Sequence, residues 1–193
     1  ELIHNDHVIN KLAQKGMRVV HSAEEILTET NGHPEKATVI IRAHGISPEK
    51  QREIESSGCT VIDATCPFVA KIHKLVSRQY KEGRKIIIIG DAAHPEVIGT
   101  NGWCDEDAVI LSSVSEAESF VLSSEINILY SVVAQTTFSK KIFDEICEIL
   151  KKSFDNVIFF DTICSATSLR QEETEKIASQ TDLMIVVGDR KSS

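Results

Sequence analysis

Two cysteines stand apart from the others by where they fall. Cys66 closes the stretch Asp63-Ala64-Thr65-Cys66-Pro67 behind the apolar run Thr60-Val61-Ile62, and 98 residues further on Cys164 follows Asp161 behind Val157-Ile158-Phe159-Phe160. The same offset carries Ile86-Ile87-Ile88-Ile89-Gly90-Asp91 onto Met184-Ile185-Val186-Val187-Gly188-Asp189. Each cysteine therefore closes a strand and opens a helix, where the helix dipole and free N–H groups favour thiolate. That placement points to ligation or catalysis rather than to core packing, although two thiols alone leave a zinc ion or an iron–sulfur cluster short of ligands.

Other chemistry-bearing residues also follow apolar runs directly. His44 and His94 are placed to hold a diphosphate through charge-assisted hydrogen bonds or to pass protons near neutral pH. Glu96, two residues after His94, is a candidate general acid, and Gln135, Thr136 and Thr137 offer neutral hydrogen bonds to a hydroxyl. On spacing alone Thr136 and Thr137 serve equally well as helix caps. Ser192 and Ser193, after Gly188, offer hydroxyls and backbone N–H groups to a phosphate. His7, His21, His33 and His73 read as solvated, Cys59 and Cys147 as small buried hydrophobes, and Cys104 as incidental in a polar turn.

The elements that position these residues alternate along the chain. Asn5 or Asp6 caps a first helix ending at Gly16; residues 18–20 read as a short strand; Ser22 with Glu25 forms a capping box; and 28–36 is a polar loop. A strand over 38–42 ends at Ala43-His44-Gly45, and Ser47-Pro48 starts a helix that stops at Gly58. After Cys66, Phe68, Val69, Ile72, Leu75, Val76 and Tyr80 form one buried helical stripe ending at Gly83. Residues 85–90 are a continuous apolar strand, 108–111 another, Ser115 with Glu118 a further capping box, and 126–133 a strand leading into Gln135. Ser139 caps a helix with an apolar face of Ile142, Phe143, Ile146, Ile149 and Leu150, and 183–188 reads as a last strand. The pattern predicts an α/β fold with mainly parallel sheets, in which ligands bind beyond the carboxyl ends of strands.

With 193 residues, 41% of them hydrophobic, the chain has material for one large or two small cores. A formal charge of -8 argues against a nucleic-acid surface, since such surfaces gather Lys and Arg against phosphates. Its apolar runs fall far short of the roughly 18 to 20 residues needed to cross a bilayer, so no membrane partner is expected and the reading is cytoplasmic. Five cysteines, an odd number, fit reduced thiols or metal ligands better than a disulfide framework.

As an ordered set, His4-Asn5, Arg42-Ala43-His44-Gly45, Asp63-Ala64-Thr65-Cys66-Pro67, His94-Pro95-Glu96-Val97, Gln135-Thr136-Thr137 and Ile163-Cys164-Ser165-Ala166-Thr167 before Arg170-Gln171 resemble the 4-hydroxy-3-methylbut-2-enyl diphosphate reductases of the methylerythritol phosphate route to isoprenoids. The resemblance implies a pseudo-threefold arrangement of α/β lobes around a 4Fe-4S cluster. Lobe boundaries would be 1–65 (incomplete), 66–160 and 161–193 (truncated). It implies an allylic diphosphate substrate and reductive removal of its hydroxyl as water, with a ferredoxin or flavodoxin as electron donor. Cys66 and Cys164 would ligate the cluster; His4, His44, His94, Ser192 and Ser193 would hold the diphosphate; Glu96 would supply the proton; and Thr136 would position it and the hydroxyl. The family's first cluster cysteine lies in a glycine-rich segment with no match in this sequence, so these residues by themselves are expected to be inactive. Strand 183–188 is expected to lack partners. Two competing readings are a zinc hydrolase using Cys66, Cys164 and a histidine with Glu96 as base, and a non-enzymatic phosphate-binding module with two structural cysteines.

Overall fold

The computed structural model describes residues 6–124 and 127–187. Its elements alternate as the sequence pattern requires: α1 (Asp6–Ala13), α2 (Ala23–Glu29), β1 (Thr38–Ile41), α3 (Pro48–Ser56), β2 (Thr60–Asp63), α4 (Pro67–Lys81), β3 (Lys85–Ile89), α5 (Pro95–Asn101), β4 (Val109–Leu111), α6 (Val114–Ser123), β5 (Tyr130–Ala134), α7 (Lys140–Ser153), β6 (Val157–Phe159) and α8 (Ser165–Ala178). Every strand pair is parallel. β1 and β2 form one small sheet, and β4-β3-β5-β6 form the larger one.

The larger sheet is covered on both faces, which is why β3 and β5 are apolar without alternation. Ile87 and Ile89 join Val132, Ala134, Phe143, Ile146 and Leu150 in a core under α6 and α7. The intervening Ile86 and Ile88 face Ile72, Val76, Val97 and Val133 under α4 and α5. Cys104 is fully enclosed in that second core, so it is not the incidental turn residue its polar neighbours suggest. Arg84 ties the start of the sheet together, donating from Nε to Ser131 Oγ and from its terminal nitrogen to the Tyr130 and Asn156 carbonyls.

Local rules account for most helix starts. Ser22, Ser47 and Ser139 accept from the backbone N–H groups of Glu25, Lys50 and Ile142. The capping box expected at Ser115 lies two residues earlier: Ser113 accepts from Glu116 N, and the Glu116 carboxylate accepts from Ser112 N. Ser113 wins because it lies two residues beyond β4 with its backbone still extended.

Other expectations are corrected. Residues 18–20 form no strand, since no strand among the described residues pairs with them. A short 3-10 turn, Pro34–Lys36, interrupts the expected loop, and β5 begins only at Tyr130. Phe68 points to solvent at 51% exposure, because it lies off the stripe made by Val69, Ile72 and Val76. Residues 183–187, the sequence match to β3, form no strand and are largely exposed. β3 is a strand because β4 and β5 flank it and helices cover both its faces; 183–187 have neither among the described residues. Residues 188 and 189 of that match lie outside the described residues.

Candidate active site

Both cysteines occupy the same structural place. Each is the N-cap of its helix, Cys66 of α4 and Cys164 of α8, with nearly identical backbone angles, φ -54 and ψ 132 against φ -65 and ψ 132. Neither thiol is spent on capping. Cys66 N donates to the Ala43 carbonyl just beyond β1, and Cys164 N donates to the Thr136 carbonyl just beyond β5, both at 2.9 Å. Upstream, Asp63 accepts from Thr65 N and Asp161 from Ile163 N, so the same tight turn delivers each cysteine.

Glu96, in the first turn of α5, is buried to 3% exposure, and Thr136, just beyond β5, to 6%. Thr136 N donates to Oε1 at 2.7 Å, and the Thr136 hydroxyl pairs with Oε2 at 2.6 Å. Burial pushes the Glu96 pKa above the ordinary carboxyl range, and the two Thr136 hydrogen bonds pull partly against it. A carboxyl group held this way keeps its proton longer than a solvated one. Thr136 is therefore this carboxylate's partner rather than a helix cap, and Ser139 does the capping of α7.

His94 is the N-cap of α5. Its Nδ1 accepts from Glu96 N at 3.2 Å, so a neutral ring carries its proton on Nε2. The His44 ring meets the His94 ring edge to face at 5.3 Å between centroids. Gln135 uses both ends of its amide locally: Oε1 accepts from Asp91 N and Nε2 donates to Thr137 Oγ1, which ties the loop after β3 to the loop after β5. It thus braces the site instead of facing a ligand.

The loop carrying His44 is docked by glycines. Gly45 has φ +69, and a Cβ there would lie 2.4 Å from His73 Cε1. Side chains at Gly99 and Gly102 would meet the Gly45 carbonyl and Ser47. Only bare backbone lets the β1 loop approach α4 and α5 closely enough to bring His44 to His94.

His73 is the residue that sequence reasoning misplaced. Far from being solvated, it is 4% exposed, stacks on Trp103 at 5.1 Å, and its Nε2 is buried with no hydrogen-bond partner among the described residues. Burial drives its pKa down to about 4, against a smaller opposing influence of the Asp63 charge. A signal was present, since position 73 falls in the i, i+3, i+4, i+7 frame of Val69, Ile72 and Val76. Cys59 and Cys147 are half-buried, and burial lifts the Cys147 thiol to about 12.

His4, Ser192 and Ser193 lie outside the described residues. The remaining predicted site residues form one connected run. Cys66 bonds Ala43 beside His44; His44 meets His94; His94 accepts from Glu96; Glu96 holds Thr136; and the Thr136 carbonyl holds Cys164. No three His, Cys, Asp or Glu side chains among the described residues converge as a metal site. Two half-buried thiols at equivalent helix starts nevertheless fit an iron–sulfur cluster as part of its ligand set, since thiolates are the donors such clusters take.

The family model described as LytB protein matches residues 1–193. The chain belongs to the LytB family. It is 41% identical over 193 residues to the 4-hydroxy-3-methylbut-2-enyl diphosphate reductase of Caldanaerobacter subterraneus subsp. tengcongensis, covering all of this chain and 64% of that protein. The Clostridioides difficile reductase of the same name is 38% identical over 192 residues, with 66% of its length covered. The chain thus spans about two thirds of these relatives. Among solved structures, the E-1-hydroxy-2-methyl-but-2-enyl-4-diphosphate reductase of Plasmodium falciparum superposes with a TM-score of 0.88 at 34% identity, over 100% of this chain and 58% of that one. A second, described as (E)-4-hydroxy-3-methyl-but-2-enyl diphosphate reductase, the terminal enzyme of the non-mevalonate pathway, gives 0.69 at 33% identity, over 99% and 65%. The α/β fold with parallel sheets read from the LytB sequence is the fold of these neighbours.

Proposed function

We propose that the protein carrying this chain reduces 4-hydroxy-3-methylbut-2-enyl diphosphate to isopentenyl and dimethylallyl diphosphate, releasing the hydroxyl as water. The observation that carries this reading is the unbroken run of contacts from Cys66 through His44, His94, Glu96 and Thr136 to Cys164. Cys66 and Cys164 would hold a 4Fe-4S cluster, which when bound supplies electrons and a Lewis-acidic iron. His44 and His94 offer N–H donors to the diphosphate, and His4, Ser192 and Ser193 complete that set by resemblance. Glu96, whose pKa burial raises, gives its proton to the departing oxygen. Thr136 fixes the carboxyl group on two sides, so its orientation is set before substrate arrives. Lobes over 1–65, 66–160 and 161–193 around the cysteines, a cytoplasmic location and a protein electron donor belong to the same proposal. No helix among the described residues is long and apolar enough to cross a membrane.

Iron and acid-labile sulfide in the anaerobically reconstituted holoprotein, measured beside turnover with dithionite, test this reading. The expected result is stoichiometric iron and sulfide that fall sharply in Cys66→Ser and in Cys164→Ser. Zinc without sulfide in the wild-type protein would overturn it.

A further inference from the structure

Helix α4 differs in charge from every other helix described. Its sequence, PFVAKIHKLVSRQYK, has no Asp or Glu, whereas each of the other helices carries at least one, in a protein with 29 acidic and 21 basic residues. Its four cations, Lys71, Lys74, Arg78 and Lys81, are all exposed. At about 100° per residue their spacing gathers them on one side, opposite Val69, Ile72 and Val76. None forms an ion pair among the described residues, while Lys85 and Lys140 nearby in sequence or fold are engaged by Asp107 and by Asp144 with Asp161. A shallow groove of about 390 Å³ runs beside them, lined by Lys74, Ser77, Arg78, Lys81, Glu82 and Trp103. Isolated unpaired lysines are ordinary on a surface. Four on one face, with acids only at its far end, where Glu82 and Asp105 adjoin Lys81, make a local field of the opposite sign to the net charge of -8.

This face also begins at the redox site. Cys66 caps α4, and at about 1.5 Å per residue the cations lie from about 8 Å (Lys71) to about 22 Å (Lys81) further along the helix axis. We infer that the basic face of α4 is the docking surface for a small acidic electron-carrier protein, which passes electrons in through the Cys66 end of the helix. The inference rests on the reductase reading. Each encounter transfers one electron from the reduced carrier, which leaves oxidised; two encounters supply the two electrons for breaking the C–O bond, one proton leaves with the hydroxyl as water, and a second forms the new C–H bond of the product. Exposed charges suit this task, because they steer a brief encounter and raise its rate without the tight apolar seal of a permanent complex.

The test uses the reconstituted holoprotein and a recombinant acidic ferredoxin. Two readouts are compared: turnover driven by the ferredoxin or by dithionite, and binding of oxidised ferredoxin by calorimetry, which needs no turnover. Wild-type protein is expected to lose roughly tenfold in ferredoxin-driven kcat/KM between low and about 0.3 M salt. K74E/K81E is expected to lose about tenfold or more at low salt and to bind ferredoxin weakly, with dithionite turnover unchanged. K151E/K152E, the same charge change on exposed residues at the end of α7, is expected to behave as wild type. Equal losses in both reversal variants, or none in K74E/K81E, would overturn the docking site. So would K74E/K81E losing only the ability to retard a labelled oligonucleotide, which would make the face a nucleic-acid surface. Absence of dithionite turnover in wild type would instead strike the reductase reading itself.

Discussion

Replacing His73 with leucine removes a titration that the fold forces on the protein. The imidazole is buried against Trp103 and Gly45, and desolvation lowers its pKa from 6.5 to about 4. A depressed pKa means that the native state refuses a proton the unfolded chain accepts. The stabilising contribution is therefore complete above pH 6.5 and is lost as pH falls toward 4. By pH 5 the loss comes to about 2 kcal/mol, and it approaches roughly 3 kcal/mol at lower pH. His73→Leu forfeits the stacking on Trp103 at every pH but carries no proton. The stability gap between the two proteins should thus narrow by about 2 kcal/mol from pH 7.5 to pH 5. Urea unfolding followed by the emission of Trp103, the one tryptophan of the sequence, measures both proteins, and subtraction cancels the opposite titration of Glu96. In the native wild-type protein the same emission should titrate near pH 4 as the stacked ring gains its charge. A gap independent of pH, or a native midpoint near 6.5, would refute the argument that this ring is desolvated.

Three further outcomes follow from the site. Glu96→Gln can accept from Thr136 N and donate to Thr136 Oγ1, so it should fold as well as wild type. Its stability should also lack the fall that wild type shows as pH rises through the elevated Glu96 pKa, while turnover drops about 10² to 10⁴-fold. Thr136→Val leaves one buried carboxyl oxygen without its partner, which should cost about 1 to 3 kcal/mol in urea unfolding. Since this also removes an influence that lowers the Glu96 pKa, the alkaline limb of the pH–rate profile should move to higher pH. Gly45→Ala must place a Cβ at φ +69 against His73. It should destabilise by roughly 2 to 4 kcal/mol and, by displacing His44, raise KM for the diphosphate more than it lowers kcat.

Much of this protein was legible in the linear sequence because the relevant physics is local. The turn that presents each cysteine is made by an aspartate two residues from the N–H it accepts, and Ser22, Ser47 and Ser139 cap helices through neighbours three residues away. The uninterrupted isoleucines of β3 fit a strand covered on both faces. What tertiary structure alone decided depends on groups far apart in the chain. Glu96 and Thr136 are 40 residues apart; only the folded chain buries the carboxyl group, which raises its pKa, and brings Thr136 to restrain it. The helical frame of His73 places it on the buried stripe of α4, but which groups close over it, the Gly45 loop and Trp103, only the tertiary structure decides. Residues 183–187 repeat the pattern of β3 yet form no strand, since hydrogen-bonded neighbours and covering helices, not composition, make a parallel strand. Periodicity and capping act over a few residues of covalent chain, whereas desolvation and strand pairing exist only once distant segments have come together.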